Sequence, residues 1–94
     1  MKLVWTPRAL RQRAEVFDYI AADNPIAAVR MDRLFGTQAD KLTVNPRIGR
    51  PGAMVGTREL FPHKSYRLVY DVDGDVISIL TIISTARQWP PAQS

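Results

Sequence analysis

Six side chains in the second half of the sequence have the chemistry to hold a phosphate or a base: Arg58, His63, Lys64, Arg67, Arg87 and Trp89. A guanidinium forks onto phosphate or carboxylate oxygens and stays charged throughout the working pH range. Arg58 and Arg67 fall in consecutive predicted strands, and Arg87 follows a third. Neighbouring strands lie about 4.8 Å apart, so the spacing predicts that the three arginines can converge on one phosphate. Arg67 stands out because it interrupts the apolar series Tyr66, Leu68, Val69 and Tyr70. The competing reading is three separate surface arginines paired with Glu59, Asp71 and Asp75. His63 and Lys64 fall in the turn between the first two strands, as further nucleic-acid contacts. Trp89 is either a stacking platform for a base or an apolar slab over the core.

Other chemistries have no support. The chain has no cysteine, so thiol nucleophiles, disulfides, iron–sulfur clusters and cysteine-ligated zinc are excluded. One histidine, His63, cannot build a histidine-based metal cluster. Phosphate-binding glycine loops, dinucleotide fingerprints, nucleophile elbows and the helical zinc motif are all missing. The run Asp71-Val72-Asp73-Gly74-Asp75 imitates a calcium loop, but it lacks the distant glutamate and contains Asp-Gly, a hairpin-turn signal. No metal and no cofactor are expected.

The elements that position these residues follow from periodicity. Lys2 to Trp5 is β-prone. Thr6-Pro7 is a helix start, with Thr as N-cap and Pro at the first helical position. Leu10, Ala14, Phe17, Ile20 and Ala21 then recur at helical spacing. A break near Ala22-Asp23 is followed by a second start at Asn24-Pro25, with Asp23 or Asn24 as cap. Ala27, Met31, Leu34, Phe35 and Leu42 form the second stripe, and Gly36 inside it allows a close contact. Asn45 to Gly56 reads as a loop. From Thr57 the period becomes two: a strand to Phe61, a turn over Pro62–Ser65, a strand over Tyr66–Val72, a turn at Asp73-Gly74, and a strand from Asp75 to Ser84. Its faces are predicted as Ile77, Ile79, Thr81 and Ile83 against Val76, Ser78, Leu80 and Ile82. The order β-α-α-β-β-β is an α+β fold: an antiparallel sheet covered on one face by a helix hairpin.

At 94 residues the chain is one domain, residues 1–94, and its 46% apolar and 23% charged content are globular values. Ten arginines and three lysines oppose nine acidic residues, a net charge of +4. Such a balance favours an acidic partner, either nucleic acid or protein. Neither a signal peptide nor a membrane span is legible, so a cytoplasmic location without membrane contact is expected.

Gly56-Thr57-Arg58-Glu59-Leu60, Tyr66-Arg67-Leu68-Val69-Tyr70 and Ala86-Arg87-Gln88-Trp89-Pro90, in that order, resemble the RelE/ParE superfamily of type II toxin–antitoxin toxins. Leu3-Val4-Trp5-Thr6-Pro7, the Asp23-Asn24-Pro25 break and the loop Asn45 to Gly52 extend the resemblance to nearly the whole chain. The resemblance implies a growth-inhibiting toxin neutralised by a cognate antitoxin, whose acidic or amphipathic segment binds across the helix hairpin and sheet. Its ParE-like branch poisons DNA gyrase and is the expected activity. The alternative is the RelE-like branch, a metal-independent endonuclease that cuts mRNA on the ribosome, with Arg67, Arg87 and Arg58 as its catalytic residues. Leu60 falls where that branch has a second lysine, and Trp89 has no proton to exchange in place of its late tyrosine. Arg47-Ile48 occupies the region where the YoeB-like subgroup carries a glutamate. A basic nucleic-acid-binding module without toxin activity is the outside alternative.

Overall fold

The computed structural model describes residues 1–91. Strand β1 spans Lys2–Trp5, helix α1 Pro7–Ala21 and helix α2 Pro25–Asp40, which runs into a 3-10 turn at Lys41–Thr43. Strands β2 (Arg50–Pro51), β3 (Arg58–His63), β4 (Tyr66–Asp73) and β5 (Val76–Ser84) follow. The helix starts form as the sequence predicts. The Thr6 hydroxyl accepts from Ala9 N at 3.1 Å, and the Asn24 amide oxygen accepts from Ala27 N at 3.0 Å. Asn24, not Asp23, is therefore the second cap.

The five strands lie in the order β1-β5-β4-β3-β2. The meander β3-β4-β5 is antiparallel as expected, but β1 pairs with β5 in parallel, so the sheet is mixed. The segment expected to be all loop also contributes β2, two residues paired with Arg58 and Glu59. Strand β3 runs on to His63, because Lys64-Ser65 alone makes the turn and Pro62 sits in a register irregularity between Leu60 and His63. Proline has no N–H for the ladder, so it is tolerated there. At the next hairpin Asp73 pairs with Val76, and the turn falls on Gly74 and Asp75 with Gly74 at φ 58°.

The predicted faces of β5 are corrected. Val69 pairs with Thr81 but Tyr70 pairs with Ile79, so Leu80 is an extra residue and the alternation flips across it. Ile77, Ile79 and Ile82 consequently join one core, together with Ala9, Phe35, Ala39, Leu42, Leu68 and Tyr70. In α1 the predicted stripe is also displaced: Leu10 and Ala14 are exposed, while Ala9 is fully buried and Val16 packs on the core. The reason is polar. The Gln12 side-chain oxygen accepts from Ile82 N at 2.8 Å and from the Thr81 hydroxyl at 2.9 Å, continuing the β5 ladder where β1 has ended. That contact turns the 9–12–16 face of α1 to the sheet.

Arg13 ties the two helices together. Its guanidinium donates to the Asp32 carboxylate at 2.7 and 3.2 Å and lies 4.6 Å over the Trp5 ring. A Cβ at Gly36 would stand 3.1 Å from Arg13 Nη2, so the glycine makes room for this arm.

Candidate functional site

Alternation along β4 sends Tyr66, Leu68 and Tyr70 to the helix side and Arg67 and Val69 to the opposite face. Glu59 pairs with Val69 in register and lies on that same open face. Its side chain is only 2% exposed, and Arg67 Nη1 donates to its Oε1 at 3.0 Å. Ala53 N donates to the other carboxylate oxygen at 2.9 Å, and Arg50 approaches to 3.9 Å. The Phe61 ring carries the Arg50 and Arg67 guanidinium carbons at 4.7 and 5.2 Å. Arg67 is thus part of a buried ion pair, and its Nε is buried without a partner among the described residues.

Arg58 is elsewhere. It pairs with Tyr70 in register, and its Nη1 donates to Gly49 O at 2.7 Å. It borders a cleft of about 380 Å³ with Pro46, Arg47, Pro51, Thr57 and Val72. Arg87 borders a different cleft, about 400 Å³, between α1 and the sheet, with Gln12, Glu15, Tyr19, Tyr66 and Ser84. The expected convergence on one phosphate does not occur. Strands β3 and β4 are paired as expected, but alternation places Arg67 and Arg58 on opposite faces, and Arg87 lies past the end of β5.

His63 Nδ1 accepts from Ser65 N at 3.1 Å, so the ring holds its own turn. Lys64 is exposed at that turn, with its carbonyl accepting from the Thr85 hydroxyl at 2.7 Å. Trp89 is half-buried, with an indole N–H that finds no partner among the described residues. No group of three metal-ligating side chains occurs among the described residues.

The family model for the ParE toxin of type II toxin–antitoxin systems, parDE, matches residues 3–89. The chain belongs to this ParE toxin family. A putative toxin, Y4kP, from Sinorhizobium fredii is 41% identical over 95% of this chain and 93% of that protein. Toxin RelE2 from Caulobacter vibrioides is 37% identical over 92% of this chain and 97% of that protein. Among solved structures, the chromosomal ParDE system of P. aeruginosa has a chain that superimposes with a TM-score of 0.80 at 26% identity, covering 89% of this chain and 95% of that one. A YoeB/ParE toxin from Agrobacterium tumefaciens shares the fold at a TM-score of 0.60 and 20% identity, over 87% of this chain and 96% of that one. The protein is therefore a toxin of a type II toxin–antitoxin system, and its partner is an antitoxin. No helix among the described residues is long and apolar enough to cross a membrane.

Two residues with no expected phosphate role organise this part of the ParE fold, Glu59 and Tyr70. Glu59 figured only as one possible partner of a surface arginine, and Tyr70 only as an apolar strand position. Together they pin the 45–56 loop from opposite faces of the sheet. Glu59 holds Ala53, while the Tyr70 hydroxyl donates to Pro46 O at 2.8 Å and accepts from Gly49 N at 3.0 Å. A buried tyrosine needs such partners for its hydroxyl, which is the signal that points to Tyr70.

Burial raises the Tyr70 phenol above its ordinary value of 10.0, outweighing the Gly49 N–H and Arg58, which act the other way. Burial, and secondarily Tyr19, raises Tyr66 in the same direction. The folded state thus favours the neutral phenols. Their contribution is fully present below pH 10 and is lost as pH rises through the folded values. Chemical melts at pH 8 and pH 11 should show stability falling on the alkaline side, with a smaller fall in Tyr70→Phe. An equal fall in that variant would exclude Tyr70 as a cause.

Proposed function

We propose that this toxin arrests growth by poisoning DNA gyrase, and that it does not cut mRNA. One observation carries the reading: Arg67, the residue a RelE-like nuclease would aim at the scissile phosphate, is instead neutralised by the buried Glu59. Arg58 and Arg87 border separate clefts, so Arg58, Arg67 and Arg87 are not gathered round one phosphate position. The full-length match to the ParE family and the similarity to the ParDE structure support the same branch. The antitoxin is expected on the helix hairpin, where Leu10, Tyr19, Ile26 and Val29 are exposed large apolar side chains.

A RelE-like nuclease is kept as a second reading by the 37% identity to Toxin RelE2 from Caulobacter vibrioides. The test is expression without antitoxin, with plasmid supercoiling, gyrase-dependent DNA breaks and mRNA integrity measured separately. Breaks with intact mRNA are expected, and ribosome-dependent cleavage with normal supercoiling would overturn the reading. A double variant, Glu59→Gln with Arg67→Met, removes the Arg67 charge while leaving an acceptor for Ala53. Loss of one charged donor from a nuclease site costs about 10²–10³ in rate, whereas the gyrase reading expects this variant to remain toxic.

A further inference from the structure

We propose that the loop between α2 and β3 is the surface by which the toxin engages its protein target, through an acidic patch bordered by apolar side chains on that target. The inference begins with where the charge sits. Residues 41–58 contain Lys41, Arg47, Arg50 and Arg58 and no Asp or Glu. The rest of the chain has nine basic and nine acidic residues, so the whole excess of +4 belongs to this one segment.

The same segment exposes aliphatic side chains that a solvated loop has no reason to carry. Val55 at the tip is fully exposed, Val44 is 88% exposed, and Ile48 and Met54 are nearly half exposed. Arg47 lines one cleft with Thr57, Arg58 and Gly56, the residue that follows Val55 in the chain. Arg47 makes no ion pair among the described residues.

The loop is also held in shape. Besides Tyr70 and Glu59, Gly52 N donates to Thr57 O at 2.8 Å, and the Thr57 hydroxyl donates to Met54 O at 2.7 Å. A preorganised loop loses less entropy on binding than a mobile one, and exposed apolar side chains on a fixed frame mark a contact surface.

The chemistry chooses the occupant. Bases are read by stacking on aromatic rings, and the four exposed apolar side chains here are all aliphatic. Phosphates alone would leave Val44 and Val55 in water. A protein patch with carboxylates and apolar neighbours satisfies both sets, and its charge steers the encounter. This rests on the preceding reading only in requiring that the target be a protein.

The test compares Arg47→Glu, Val55→Ser and their combination with Arg8→Glu, an equal charge reversal outside the loop. Survival after induction, the melting curve and co-purification with the antitoxin are measured for each. Binding to purified gyrase and to a short DNA duplex is measured alongside. Each single loop variant is expected to raise survival about tenfold and the double about a hundredfold, if the two contacts act independently. Melting and antitoxin binding should stay as in the wild type, and Arg8→Glu should remain toxic. A folded double variant as toxic as the wild type overturns the proposal. So does loss of antitoxin binding, which would assign the loop to that interface, or tight duplex binding that the loop variants abolish. Loss of toxicity in the loop variants with no wild-type binding to gyrase supports the loop and removes gyrase as its partner.

Discussion

Glu59→Ala is expected to lower stability by about 3 kcal/mol, at the low end of what breaking a buried ion pair costs, because Arg67 keeps 15% side-chain exposure. The substitution strands the Arg67 guanidinium beneath the sheet surface and leaves Ala53 N without its acceptor. Against a total of roughly 5–15 kcal/mol for a natural domain this is a large fraction. In a chain of this size it corresponds to a melting temperature lower by roughly 12–24 °C. The cause is the orphaned charge and not the loss of attraction, so removing both charges should cost less than removing one. Glu59→Gln with Arg67→Met should accordingly recover more than half of the loss. A Glu59→Ala protein melting within a few degrees of the wild type, or a double variant no better than the single, would show that the pair is not what holds this face.

Gly49→Ala is expected to unseat the 45–56 loop. Gly49 is buried, and a Cβ there would stand 2.6 Å from the Tyr70 hydroxyl, 2.7 Å from its ring and 2.8 Å from the backbone oxygen of Glu59. The β3 backbone is fixed by pairing on both sides, so the loop must lift. Lifting breaks the Gly49–Tyr70 hydrogen bond and pulls on Tyr70–Pro46 and Arg58–Gly49. Steric overpacking costs about 1–3 kcal/mol and each lost hydrogen bond about 1 kcal/mol. The expected total is about 2–4 kcal/mol, with amide exchange accelerated at Gly49, Gly52 and Ala53 more than in α1. Because the loop is proposed to meet the target, toxicity should fall as well, while the helix-hairpin face and antitoxin binding are kept. Unchanged protection at those three amides would mean the glycine is not needed for close approach.

What the sequence by itself determines here is what depends on neighbours along the chain. Thr6-Pro7 and Asn24-Pro25 specify helix starts because capping and the proline ring act within one turn. The alternation of Tyr66, Leu68 and Tyr70 specifies the inner face of β4, since a strand has period two. The order of the motifs from Leu3 to Trp89 was enough to indicate the toxin family. Tertiary structure decided whatever depends on partners distant in sequence. No local signal makes β1 parallel to β5, because that pairing joins residues more than seventy positions apart. The outward turn of Leu10 follows from remote hydrogen bonds, those that the Gln12 side-chain oxygen accepts from Ile82 N and the Thr81 hydroxyl. The bulge at Leu80 exchanged the faces of half a strand because one extra residue in a two-residue period reverses every side chain beyond it. The arginines were legible as residues but not as a site. Their positions in sequence say which side chains carry charge, whereas strand alternation and the buried Glu59 decide that Arg67 is ion-paired and that Arg58 and Arg87 border separate clefts.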